Sequence, residues 1–210
     1  MDNMEMSPEM GNKSEERNLS EKNLSVQKNI LMYLHDLVCL LGAVLLVFSL
    51  LFRVVVVSGP SMNNTLMDGD WLLLLSNVLS GEPKQGDIIV ASKDSFKNGE
   101  PIIKRVIATE GQVVDIDFQE GIVYVDGVAL HEPYILASTT TDEGVSFPLT
   151  VDKGCVFVMG DNRVNSKDSR SNEIGLIDCR EILGEAFFLL FPGTNKSTVE
   201  RQFDRIGVIS

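Results

Sequence analysis

The chain has 210 residues, room for one domain of moderate size, and 44% of them are hydrophobic, enough for a packed core. A formal net charge of −12 argues against a phosphate-neutralising surface, and so against nucleic acid as a partner. The same charge argues against a polybasic grip on anionic lipid.

Residues 1–29 are polar, rich in Asn, Ser, Glu and Lys and without an aromatic residue, and are expected to form a mobile tail. Residues 30–53 then carry the uncharged run LVCLLGAVLLVFSLLF at 37–52, with His35 and Asp36 near one end and Arg53 at the other. About 18–20 consecutive apolar residues suffice to span a bilayer. A buried core helix is seldom apolar on every face for so long. A cleavable signal peptide is disfavoured by the long apolar region, the polar residues ahead of it and the lack of an A-x-A site after it. The segment therefore reads as an uncleaved, single-pass anchor in the lipid bilayer. Lys22 and Lys28, offset by Glu21 and Asp36, lean towards a cytosolic N-terminus, with the remainder outside the plasma membrane.

After the span the period changes. Short β-branched runs (VVVV, WLLLL, DIIVA, PIIKRVIA, QVVDIDF, GIVYVDG, CVFVMG, EAFFLLF) alternate with Gly, Asp, Asn and Pro, so a mainly β domain is expected. Within it, 54–110 and 155–192 are expected to form the main β-domain, with 111–154 a small inserted β or cap region and 193–210 a C-terminal tail. GIVYVDGVAL reads as a hairpin turning at Asp126-Gly127. Residues 135–153, rich in Thr and Ser, read as a loop, and IDCREILGEA is the one soluble stretch that suggests a short helix, starting near Asp178. Cys155 and Cys179 lie in no CxxC or other metal-ligand spacing, so no metal or cofactor is expected. They read as two half-buried thiols, able to pair in an oxidising space.

A hydrolytic site has few bases to draw on. The soluble part holds one histidine, His131, in a context that suggests a half-exposed structural residue, and there is no HExxH. A lysine serves as base when apolar burial disfavours its charged form. Lys104, in PIIKRVIA, shares a strand face with Ile102 and Val106, while Arg105 points the other way. On its own the segment also fits an edge-strand lysine snorkelling to solvent. GDNRVNSKDSR, residues 160–170, places Asp161, Asn162, Arg163, Ser166, Asp168 and Arg170 where they can form a buried network, with Asp168 pairing Arg170 or Arg163.

The segments SGPSMNNTLMDGD, GDIIVA, KRVIATEG and GDNRVNSKDSR follow one another in the order and spacing of the bacterial type I signal peptidase boxes, behind a single N-terminal anchor as in the Gram-positive kind. The chain resembles that family over about residues 30–192. The resemblance implies a signal-peptidase-like β-domain and a serine endopeptidase that removes signal peptides from secretory preproteins. In it Ser61 matches the nucleophile and Lys104 the general base. Ser166 matches the serine that orients the lysine, and Asp168 and Arg170 match the structural ion pair behind the site. Val57, Met62, Leu66 and Ile103, with Gly59 and Ile102 beside them, match positions around the shallow substrate pockets. The backbone N–H of Ser61 matches one oxyanion donor. Gly59 stands where the Gram-negative branch has a second, serine donor. Asn64 replaces the usual proline, ATEGQ at 108–112 replaces the usual turn, and SNEIG follows the DSR. These departures suggest a specialised paralogue with a narrow precursor set as one alternative; a non-catalytic, membrane-tethered β-module is the other.

Overall fold

The computed structural model describes residues 8–93, 96, 99–194 and 201–209, with side chains from residue 21 onward. It divides into two units, Met1–Ser49 and Leu50–Ser210.

The first unit is helical. Helix α1 spans Pro8–Leu51. Its portion Glu21–Leu51 is long and apolar enough to cross a membrane once, with mean hydropathy 2.3 and no part of the apolar stretch buried. That is consistent with a single-pass anchor. Of the polar tail expected over 1–29, residues 8–29 continue the helix, while residues 1–7 lie outside the described residues. Extending a helix already formed costs less than nucleating one, and Glu and Lys are good helix formers.

The second unit is mainly β. Its elements are β1 (Phe52–Val56), β2 (Trp71–Leu75), the short helix α2 (Asn77–Ser80), β3 (Ile88–Ala91), β4 (Ile102–Thr109), β5 (Val113–Asp117), β6 (Ile122–Val125), β7 (Val128–Ala129), β8 (Leu149–Thr150), β9 (Cys155–Met159), β10 (Ile177–Asp178), β11 (Ile182–Phe191) and β12 (Gly207–Val208). An eight-stranded antiparallel sheet has the order β1-β2-β11-β3-β4-β9-β10, with β12 added beside β11. A second sheet has the order β7-β6-β5-β8 and lies in the chain between β4 and β9. β11 bonds β3 through its first residues and β2 through the rest, with register shifts on both sides. Such irregularities bend a strand, and the large sheet curls.

Period-two burial explains these strands. In β2, Leu72 and Leu74 are fully buried while Trp71 is exposed, and β5 alternates exposed and buried along its whole length. The buried faces form three clusters. One gathers Val57, Met62, Leu66, Leu72, Leu74 and Leu189. A second gathers Ile89, Val106, Val156, Val158, Ile177 and Ile182. The third joins the two sheets, with Val114 and Val123 against Phe157 and Met159. The small sheet therefore shares its core with the large one.

The expected hairpin is present, Val125 facing Val128 across Asp126 and Gly127, both at positive φ. The helix suggested at IDCREILGEA is corrected. Only a 3-10 turn, Cys179–Glu181, forms there under an Asp178 capping box, and the rest is β11, whose ILGEA alternates between core and surface. The C-terminal tail is corrected as well. β12 pairs with β11, and Arg205 donates to the buried Asp70 through Nη2 (2.6 Å) and Nη1 (3.1 Å). Residues 195–200 and 210 lie outside the described residues. Cys155 and Cys179 are free, half-buried thiols.

Candidate active site

Ser61 sits in a turn that the core holds from beneath. Val57 leads in from β1, and the chain reverses at Gly59, whose φ of +91° suits a residue without a side chain. The Gly59 N–H donates to Asp68 Oδ1 at 2.9 Å. Asn63 N donates to Pro60 O (3.1 Å) and Leu66 N to Met62 O (2.8 Å), closing the turn. Met62 and Leu66, 1% and 0% exposed, anchor that turn in the first core cluster. Among the described residues, the Ser61 N–H has no acceptor.

Lys104 comes from the middle of β4, paired with Ile89 of β3, and is 4% exposed. Its Nζ donates to Ser61 Oγ at 2.9 Å and to the Ile103 carbonyl at 2.9 Å. Two residues 43 positions apart in sequence thus meet, the lysine buried and the serine half-buried. The solvent-facing, snorkelling alternative for this lysine does not describe it. His131, by contrast, is exposed.

The segment 160–170 supports the turn from the other side. Asn162 N donates to Ser61 O (3.0 Å), and Asn162 Nδ2 donates to Pro60 O (3.1 Å). Gly160 lies where the segments cross: a Cβ there would overlap the Ser166 hydroxyl and come within 2.5 Å of both Ser166 Cβ and Ser61 O. Asp168 takes Arg170, Nε to Oδ1 and Nη2 to Oδ2, both at 2.8 Å and both side chains 0% exposed. Asp168 Oδ2 also accepts the Gly160 N–H at 3.0 Å. Burial pushes the Asp168 carboxyl up, but the Arg170 hydrogen bonds and charge outweigh it and hold it below the usual range. Arg163 instead donates through Nε to Gly160 O at 3.0 Å and is held by Glu132 and Thr139.

Of the residues singled out from sequence, Ser61, Lys104, Ser166, Asp168 and Arg170 come together in one region. Ser166 is 5% exposed, and its Oγ meets no hydrogen-bond geometry among the described residues, although its hydroxyl lies close enough to Asp168 to help hold that carboxyl down. Val57, Met62 and Leu66 are packed into the core and offer no open surface, so they shape the site as its floor. Gly59 is half-buried. Ile102 and Ile103, also half-buried, pack against different clusters.

The structure adds residues that sequence left unassigned. Arg105, 2% exposed, grips Asp161 with Nε and Nη2, each at 2.9 Å, and lies over the Tyr134 ring at 4.0 Å. Asp161 also accepts Thr65 Oγ1 at 2.5 Å, tying the Ser61 turn to β4. The alternation that put Arg105 opposite Lys104 was the available signal; its partner was not readable. A separate cavity of about 590 Å³, lined by Ile89, Val156, Ile182, Cys155 and Cys179 among others, includes neither Ser61 nor Lys104.

The chain is similar to known proteins over most of its length. The model of the family "Signal peptidase, peptidase S26" matches residues 30–191. Signal peptidase I of Bacillus licheniformis is 34% identical over 180 residues, 82% of this chain and 94% of its own. Signal peptidase I T of Bacillus subtilis (strain 168) is 38% identical over 156 residues, 70% of this chain and 78% of its own. A signal peptidase I from Enterococcus faecalis V583, known from a crystal structure, shares 30% identity over 50% of this chain and 96% of its own, with a TM-score of 0.42. The family match begins inside α1 and ends with the last residue of β11, and on that extent the chain belongs to the signal peptidase family, peptidase S26.

Proposed function

We propose that this chain removes signal peptides from secretory preproteins at a membrane surface, with Ser61 as nucleophile and Lys104 as general base. The observation that carries the assignment is the 2.9 Å approach of a buried Nζ to Ser61 Oγ. Burial in apolar surroundings disfavours an ammonium, which is the condition under which a lysine accepts a proton.

The chemistry follows from those two atoms. Neutral Nζ takes the Ser61 hydroxyl proton as Oγ bonds to the scissile carbonyl carbon, and the carbonyl oxygen becomes an oxyanion. The unengaged Ser61 N–H supplies one donor to that oxygen; loss of one such donor typically costs about 3–4 kcal/mol of transition-state stabilisation. The Lys104 ammonium then returns its proton to the leaving amine, and the C–N bond breaks. In the second half Lys104 deprotonates a water that attacks the acyl-serine, and Ser61 regains its hydrogen. Asp168, Arg170 and Ser166 act behind these groups: the ion pair holds Gly160 N, and the Ser166 hydroxyl lies beside the crossing. In this reading that hydroxyl orients Lys104.

The single apolar helix supports anchoring in the plasma membrane, with the N-terminus cytosolic and the β unit outside. That orientation would bring an anchored nucleophile to precursors at high effective concentration. An extended precursor would add along the strands bearing VVVVSG and PIIKRV, with small alternate side chains against the site. The non-catalytic β-module finds no support in a lysine buried against a serine.

The test is cleavage of a secretory precursor by the full-length protein in detergent. Ser61→Ala and Lys104→Ala should each abolish it while leaving the β unit folded, and wild-type cleavage should rise with pH as the lysine sheds its proton. Wild-type turnover by Lys104→Ala would exclude the dyad.

A further inference from the structure

The stretch between β7 and β8 is weakly patterned in sequence, yet in the structure it is fastened to the end of the 160–170 segment. Gly144 and Ser171 form an antiparallel bridge, and Val145 N donates to Arg170 O at 3.1 Å. Asn172 Nδ2 donates to Gly144 O at 3.0 Å, and Arg170 Nη1 donates to Thr141 O at 3.3 Å. Glu143 lies at the centre of these contacts with its side chain 10% exposed. Its Oε1 is 3.5 Å from Arg170 Nη2, and its Oε2, 3.8 Å from Lys167 Nζ, accepts no hydrogen bond among the described residues. The guanidinium it approaches is the one Asp168 holds, and Asp168 in turn holds Gly160 N at the crossing of Ser61 and Ser166.

We propose that Glu143 is a positioning residue for the reaction at Ser61, its carboxylate sharing the Arg170 guanidinium with Asp168 and so locking the segment that sets Gly160 and Ser166 against the nucleophile. The proposal rests on the dyad reading above. Two carboxylates around one guanidinium fix its plane and its distance from each, so the Arg170 side chain has less freedom to carry Asp168 away from Gly160.

The energetics separate this role from simple tethering. The charged groups facing Glu143 are Asp168 and Glu173, which oppose its ionisation, and Arg170 and Lys167, which favour it. Burial and the Asp168 charge prevail and raise its pKa above the ordinary value of 4.5. An acid with a raised folded-state pKa withdraws stability from the fold as the pH rises above its unfolded value. Glu143 therefore weakens the native state at neutral pH. Stability given up beside a site is the trade expected of a functional residue, whereas a tether would add stability.

Glu143→Gln keeps the shape and removes the charge. For the full-length protein in detergent, cleaving a precursor peptide with a small-x-small site, kcat should fall about tenfold through lost positioning, with KM unchanged. The thermal midpoint at neutral pH should stay equal or rise. Wild-type kcat in the variant, or a loss of kcat accompanied by a lower midpoint, would overturn the proposal. If the wild-type protein cleaves and Glu143→Gln matches it, this proposal alone fails; if the wild-type protein cleaves nothing, the dyad reading fails and takes this with it.

Discussion

Gly160→Ala tests the close approach on which the site depends. A Cβ at this position would lie 2.5 Å from Ser61 O and 2.5 Å from Ser166 Cβ, and would overlap Ser166 Oγ; each 2.5 Å contact is 0.5 Å short of the 3.0 Å below which real Cβ atoms are essentially never found. Rotating the Ser166 hydroxyl away does not relieve the clash, because Ser166 Cβ is itself too close. Ser61 O cannot yield freely either, since it accepts the Asn162 N–H at 3.0 Å. The added methyl must therefore push the Ser61 backbone and the 160–170 segment apart. Overpacking of this kind costs about 1–3 kcal/mol, which in a protein of this size lowers the thermal midpoint by roughly 2–4 °C per kcal/mol. A displacement approaching 1 Å at the reacting atoms costs about 100-fold in rate. The assay is kcat/KM for precursor cleavage, with a thermal melt on the same sample to separate misplacement from unfolding. A folded Gly160→Ala protein with wild-type kcat/KM would refute the reasoning, because it would mean that the Ser61–Ser166 approach has no bearing on the chemistry.

Two further predictions concern the supports. Asp168→Asn removes the hydrogen-bonded counterion of the fully buried Arg170, leaving it only Glu143 at 3.5 Å, and should cost up to about 3–5 kcal/mol in urea unfolding. Burial pushes Asp168 up and Arg170 pulls it further down, so the pair's stabilisation is present above the ordinary value of 3.8 and is lost as pH falls through the lower folded-state value. The variant should therefore lose the acid limb of the stability-against-pH curve, and an unchanged limb would show that the pair does not set it. Arg205→Ala strips two donors from the buried Asp70 and one from Thr65 O, which should cost about 1–3 kcal/mol. An unaltered urea midpoint would mean that the C-terminal return is a surface contact without structural weight.

Much of the architecture was legible because its signals are local. An uncharged run at 37–52 can hardly form anything but an apolar helix, and alternation in WLLLL and QVVDIDF marks strands with one face inward. Asp126-Gly127 specifies its own tight turn. Where a segment's outcome depended on distant partners, the local reading failed. Residues 182–186, ILGEA, carry helix-compatible residues but open β11, because β2 and β3 offer strand edges on both sides, while EAFFLLF reads as the strand it forms. Residues 201–209 look like a polar tail until Asp70, buried more than a hundred positions earlier, supplies Arg205 with a counterion.

The candidate site divides in the same way. Residue types and box order in the sequence were sufficient to select Ser61, Lys104, Ser166, Asp168 and Arg170. They left open which arginine Asp168 would take, and they did not indicate that Arg105 would clasp Asp161 or that Glu143 would reach Arg170. Side-chain period and turn preference act between near neighbours, so the chain carries them in its letters. The strength of a charge pair or the crowding at a glycine depends on distance and burial, and those exist only after packing has brought residues as far apart as 61 and 104 within 2.9 Å.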